Sequence, residues 1–263
     1  MFAPYVLLTK EGQKQLGKYE WVTLAFVVGY ANNKIQWNSG TTPPTSVLKK
    51  QSKFILSFGG ESTGVPGKTF AELAGTYKDP KALADAYEAA AKSVGATWLD
   101  FDIEEQAQKD KVTTTRRNEA LAILQKRNPA IKISYTVPIE LVGFDPEVKD
   151  LLVHAKSVGV KISVVNLMTM YITPKKQDMS DAVWKTVEMG RPLIKSLGAS
   201  IGICPLIGKN KDNEFSYEVF TTKDAEELVA KAKADPDVSF LTFWELNLDK
   251  NGQYGSRFKK FTS

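Results

Sequence analysis

Residues 97–105 read TWLDFDIEE. Asp100, Asp102 and Glu104 alternate with Leu99, Phe101 and Ile103, the two-residue period of a β-strand. A strand acidic along one face suits a wet surface. The neighbouring runs, however, are short and apolar, as buried parallel strands are: APYVLLT (3–9), VTLAFVVG (22–29), KFILSFGG (53–60), IKISYTVP (131–138), KISVVNLMTMY (161–171), ASIGICPL (199–206) and VSFLTFW (238–244). An acidic face in that company needs a polar interior to point into.

Between the apolar runs the period changes to that of helices. In PKALADAYEAAAKSVGA, residues Leu83, Ala86, Tyr87, Ala90, Ala91 and Val94 make one stripe, with Pro80 in the first turn and Gly95 at the end. TTTRRNEALAILQKRNP, DPEVKDLLVHAKSVG, DMSDAVWKTVEMGRPLIKSLG and TTKDAEELVAKAKADP repeat the pattern, opening on Asp or Thr and closing on Gly or Pro. Weaker helices are predicted at EGQKQLGKY and PTSVLKKQ. Eight strands alternating with helices predict an α/β fold, a single (β/α)8 TIM barrel over residues 1–263. A doubly wound open sheet is the alternative for the same alternation. No linker or composition shift divides the chain.

The scarce residues exclude whole chemistries. A single Cys, Cys204, leaves no internal disulfide or thiolate zinc cluster, and a single His, His154, leaves no multi-His metal site. His154 reads as part of a helix face. The net charge of +5 comes mostly from lysines scattered among acids, a solvated surface rather than a nucleic-acid footprint. No apolar run reaches the roughly 20 residues that cross a bilayer, and MFAPYVLLTK lacks the basic-then-apolar order of a secretion signal. A monomer with no cofactor, metal, nucleic-acid or membrane partner is expected.

In a barrel, Leu99, Phe101 and Ile103 face the helices, and Asp100, Asp102 and Glu104 face the lumen, rising toward the C-terminal rim where barrel active sites lie. Three ionised carboxylates in that space repel one another, so at least one holds a proton near neutral pH. A rim carboxylic acid with a raised pKa is suited to general acid catalysis. A divalent-metal site and a satisfied structural network are the competing uses of the same three acids.

Asp100-Phe101-Asp102-Ile103-Glu104 matches the DxDxE signature of the family 18 glycoside hydrolases, the chitinases and their relatives, and Ser57-Phe58-Gly59-Gly60 matches their SxGG motif. FAPY (2–5), LAF (24–26), VVNLMTM (164–170) and LTFWELNLD (241–249) look like the corresponding strand ends. The chain thus resembles a compact bacterial-type branch of that family, without an inserted α+β domain. The resemblance implies an extracellular, retaining, substrate-assisted hydrolase of chitin or N-acetylglucosamine oligosaccharides, an exception to the two-carboxylate scheme. It implies that Glu104 protonates the leaving oxygen, that Asp102 orients the substrate's own acetamido group, and that Asp100 shares a proton with Asp102. Trp244 would floor the sugar site, and Tyr5, Phe26, Gly60, Met168, Met170 and Tyr171 are the other substrate-side candidates. Phe26, Met168 and Met170 face inward by alternation, and plain core packing is their alternative.

The chain departs from the family pattern after VVNLMTM, where an Asp with a nearby Tyr is usual and Tyr171-Ile172 stand instead. It also has Thr97-Trp98 where the signature usually opens with Asp-Gly. Other uses of such a chain are chitin binding without turnover, cleavage of the chitobiose core of N-glycans, and metal-dependent barrel catalysis. GGESTGVPGKTF (59–70) imitates a phosphate loop, but Ser62 stands where the pattern needs Gly and Pro66 removes a backbone donor. It is expected to be a mobile rim loop lining the cleft.

Overall fold

The computed structural model describes residues 1–30, 34–37, 45–51, 53–61 and 72–263. Most of the expected rim loop, 62–71, lies outside the described residues. In chain order the strands are β1 (Tyr5–Leu7), β2 (Trp21–Tyr30), β3 (Lys34–Trp37), β4 (Lys53–Gly59), β5 (Trp98–Asp102), β6 (Lys132–Pro138), β7 (Ile162–Thr169), β8 (Ser200–Pro205), β9 (Gly208–Lys209), β10 (Val219–Phe220) and β11 (Val238–Leu241). All eight apolar runs read from the sequence form strands of one parallel sheet, ordered β1-β2-β4-β5-β6-β7-β8-β11. The sequence pattern missed β3, which extends β2 as an antiparallel hairpin, and the small β9–β10 pair.

The sheet is strongly curled. Its edges meet through one parallel bridge, Phe2 to Leu241, and through Ala3 N donating to Leu241 O (3.0 Å) and Tyr5 N to Phe243 O (3.2 Å). Beyond Leu241 the chain also bonds to the other side, Thr242 N to Ile203 O and Trp244 N to Pro205 O, both at 3.0 Å. Strand order and curl follow the barrel expectation. A regular ladder around the whole circumference does not form, because β1 is three residues long and β11 stops at Leu241.

The helices are α1 (Thr45–Leu48), α2 (Leu73–Thr76), α3 (Pro80–Val94), α4 (Glu105–Lys109), α5 (Lys111–Arg127), α6 (Pro146–Ser157), α7 (Met179–Leu197), α8 (Thr222–Ala234) and α9 (Gln253–Phe258). Their ends follow the sequence signals. Asp79, Asp110 and Asp178 accept first-turn N–H bonds of α3, α5 and α7, and Thr221 with Asp224 forms a capping box on α8. Of the two weak helices, EGQKQLGKY is only a 3-10 turn at Gly12–Gln15, and PTSVLKKQ contributes the single turn α1. Gly17, at φ +85°, turns the chain out of the first. Among the described residues no helix is long and apolar enough to cross a membrane.

The helix-facing side of β5 shows the alternation at work. Phe101 stacks on Phe58 at 5.3 Å, and Tyr87 of α3 meets both rings edge-on at 5.1 Å. Beneath lies a buried ion pair, Glu72 to Arg117 at 3.2 Å. The Glu72 carboxylate also accepts from Ala74 N and the Tyr87 hydroxyl. The Tyr135 hydroxyl donates to Asn118, whose amide nitrogen meets His154 Nδ1 at 3.1 Å. His154 is therefore part of the helix layer, as read from its segment.

Removing one partner of a buried pair strands the other's charge. Glu72→Ala is expected to cost about 3–5 kcal/mol in denaturant unfolding. Glu72→Ala combined with Arg117→Met is expected to recover most of that loss.

Candidate active site

Cross-strand register builds the site from the bottom. Ser57 of β4 pairs with Asp100 of β5, and Asp100 with Ser134 of β6. One level higher, Gly59 pairs with Asp102, Asp102 with Thr136, and Thr136 with Asn166 of β7. Inward side chains at matched positions therefore touch. Asp100 Oδ2 accepts from the Ser57 (2.7 Å) and Tyr5 (2.8 Å) hydroxyls, and Oδ1 from the Ser134 (2.7 Å) and Thr136 (2.9 Å) hydroxyls. Burial pushes the Asp100 carboxyl up, and these four hydrogen bonds pull it back down. The Tyr5 phenol is driven well up by burial and then by the charges of Asp100 and Asp102, so it remains a donor.

The sequence-based reading paired Asp100 with Asp102. The structure instead spends the hydrogen-bonding capacity of Asp100 on hydroxyls and joins Asp102 to Glu104. Asp102 is pushed far up by burial, then by the charges of Glu104 and Asp100. Glu104, partly exposed where β5 gives way to α4, is pushed up to about 7. Burial dominates that shift, the hydrogen bond from Asp102 opposes it, and the charges of Glu61 and Glu105 add to it. Asp102 Oδ1 is buried with no hydrogen-bond partner among the described residues.

The two glycines of SFGG are steric necessities. Gly59 sits at φ +106°, and a Cβ there would lie 2.0 Å from Asp102 O. Gly60 N donates to the same oxygen at 3.0 Å, and a Cβ on Gly60 would strike the Phe26 ring. Gly60 is thus not on the cavity wall, as the sequence reading had it. It stands behind Phe26, where only a missing side chain lets the ring lie.

Above the acids opens a cavity of about 580 Å³. Phe26 stacks on Trp244 at 5.5 Å and 15°, and Tyr5 packs against both. With Met168 and Met170 these form an apolar floor beside Asp102 and Glu104. Tyr171 lines the mouth. It stands two residues past the end of β7, adopts φ +57° and is 48% exposed.

Sequence reasoning missed Thr136, although the inward alternation of β6 carried the signal. It also missed Glu61, Gln108, Glu140, Asp145 and Asp212, which reach the cavity from the rim. Loop residues carry no periodicity to announce them. No Lys, Arg or His is among the described residues that line the cavity. A grouping with metal-ligand spacing, Asp178, Asp224 and Glu227, lies elsewhere, and its two aspartates cap helices.

No protein-family model matches the chain. A probable bifunctional chitinase/lysozyme of Escherichia coli K12 is 33% identical over 183 residues, 65% of this chain and 20% of that protein. Endochitinase 11 of Metarhizium anisopliae is 32% identical over 183 residues, 65% of this chain and 34% of that protein. The chain is thus similar in sequence to two proteins named as chitinases. It spans about a fifth and a third of the lengths of these curated relatives. In fold it superposes on the catalytic domain of a hyperthermophilic chitinase from Pyrococcus furiosus with a TM-score of 0.82, covering 99% of this chain and 94% of that one at 24% identity. A GH18 chitinase from Pseudoalteromonas aurantia gives 0.67, with 99% of both chains covered at 18% identity.

A proton donor must be protonated to act, so any rate that depends on Glu104 as an acid is expected to fall as pH rises through about 7. Glu61→Gln and Glu105→Gln each remove a negative charge that disfavours ionised Glu104. Both substitutions are therefore expected to move that basic limb to lower pH in a pH–rate profile.

Proposed function

We propose that the protein hydrolyses β-1,4-linked N-acetylglucosamine polymers with retention of configuration, using Glu104 as general acid and base. The observation that carries this reading is the hydrogen-bonded Asp102–Glu104 pair at the base of an aromatic-floored cleft. The raised Glu104 carboxyl supplies a proton near neutrality to a glycosidic oxygen lying over it. The unpartnered Asp102 Oδ1 is an open acceptor for an acetamido N–H. Held there, the substrate's acetamido carbonyl attacks the anomeric carbon as the glycosidic bond breaks. The resulting oxazolinium ion is opened by water, which loses its proton to Glu104. Trp244 and Phe26 offer a flat apolar face to the C–H side of a pyranose ring. The edge contacts between Phe2, Ala3, Tyr5 and the chain from Leu241 to Phe243 support reading the curled sheet as a closed (β/α)8 barrel.

Chito-oligosaccharides are the test substrate. Wild type is expected to release shorter oligomers with the β-anomer first, followed by proton NMR. Glu104→Gln is expected to be slower by about 10²–10⁴-fold. An α-anomeric first product overturns the substrate-assisted route, and equal rates overturn the role of Glu104.

The name of the Escherichia coli relative includes lysozyme, and peptidoglycan strands carry carboxylates. The acid-lined cleft repels such a chain. Turnover of peptidoglycan is expected to be slower than that of chitin oligomers, with the gap narrowing as salt screens the repulsion.

Binding without turnover is favoured by one feature, Tyr171 standing where the family usually has Asp. Calorimetric heat with chitotetraose and no product would establish that second reading.

A further inference from the structure

We propose that Glu218 is a positioning residue of the cleft: its one buried carboxylate holds Tyr171 and, through Asn210, Asp212 as the wall of the cavity mouth. The inference rests on the hydrolase reading above for its substrate, a chito-oligosaccharide. Glu218 precedes β10, is 3% exposed and does not itself line the cavity. Its Oε1 accepts from Ile172 N (2.6 Å) and Thr173 N (2.9 Å). Its Oε2 accepts from Tyr171 N (2.9 Å) and Asn210 Nδ2 (3.0 Å). Four donors thus fill the four acceptor positions of one carboxylate.

Three of those donors are successive backbone N–H groups, a concave arrangement that suits an anion. The arrangement requires the chain to turn sharply at Tyr171, which takes the left-handed region without being glycine. That turn brings the Tyr171 ring to the cavity, where it packs edge-on against Phe215 at 5.5 Å. Asn210 extends the clamp: its Oδ1 accepts from Asp212 N at 3.0 Å, and Asp212 lines the same mouth. One carboxylate therefore ties the end of β7 to the segment between β9 and β10. Burial, and then the charges of Glu61, Asp212 and Glu104, raise the Tyr171 phenol, which keeps it a hydrogen-bond donor to a sugar. A phenol and a carboxylate together can donate to and accept from sugar hydroxyl and acetamido groups.

The test compares wild type with Glu218→Ala, Glu218→Gln, Tyr171→Ala and the Glu218→Ala/Tyr171→Ala double variant. Amide hydrogen exchange at residues 171–173 reads the clamp, and protection elsewhere in the sheet reports whether each variant is folded. Exchange at those amides is expected to speed up by roughly tenfold or more in Glu218→Ala. On chito-oligosaccharides KM is expected to rise about tenfold with kcat within about twofold, because the clamp acts through binding. Adding Glu218→Ala to Tyr171→Ala is expected to raise KM by no more than about twofold, since both changes remove one unit. Glu218→Gln keeps one acceptor oxygen but turns an N–H toward Tyr171 N–H, so the same rise in KM is expected of it in an intact fold. Unchanged exchange at 171–173, or additive effects on KM, would overturn the inference. A wild type that neither binds nor cleaves chito-oligosaccharides sinks the hydrolase reading alone, and the exchange data still decide the clamp.

Discussion

The cleft depends on how the interior tolerates Asp100. A carboxylate taken fully out of water is costly unless hydrogen bonds replace its hydration. Here the parallel register supplies them: Ser57 and Ser134 stand on either side of Asp100, with the Tyr5 and Thr136 hydroxyls above. The donors come from β1, β4 and, twice, β6, so the carboxylate on β5 fastens four strands together. A one-residue slip of any of them would turn the hydroxyl to the helix layer and leave the acid unsatisfied.

Four hydroxyls satisfy Asp100, so the larger upward shift falls one step higher on β5. Asp102 lacks such donors and is pushed far up by burial and by the charges on both sides. Its hydrogen bond to Glu104 makes the two a coupled unit at the base of the cavity rather than two independent acids. The hydroxyl cage thus determines more than stability. By pulling the Asp100 carboxyl back down, it leaves the stronger upward shift to Asp102, nearer the solvent end of β5.

How far this was legible in the sequence varies with the kind of structure that carries each residue. Period-two alternation placed Asp100, Asp102 and Glu104 on one face and Leu99, Phe101 and Ile103 on the other, and it found the strands bearing Phe26 and Met168 and the one that leads to Trp244. Capping residues located the long helices, because Asp79, Asp110, Asp178 and Thr221 satisfy orphan N–H groups wherever the rest of the fold lies. The partner of Asp102 was misassigned for a physical reason: equal spacing along β5 cannot tell which neighbour is already saturated by other strands. Gly60 was misplaced because its role is to leave room for Phe26, a contact between strands distant in sequence. Glu218 and Asn210 carried no signal, since they act through backbone groups that have no identity in sequence.

The floor and the mouth of the cleft are consequently held by different physics. Phe26, Trp244 and Tyr5 are fixed by packing ring on ring. Tyr171 and Asp212 belong to connecting segments and take their positions from charge-assisted bonds to one carboxylate. Packing tolerates little change, whereas a backbone clamp is indifferent to the side chains it displays. The side chain at 171 can therefore change without disturbing the acids beneath, because only main-chain groups at 171–173 meet Glu218.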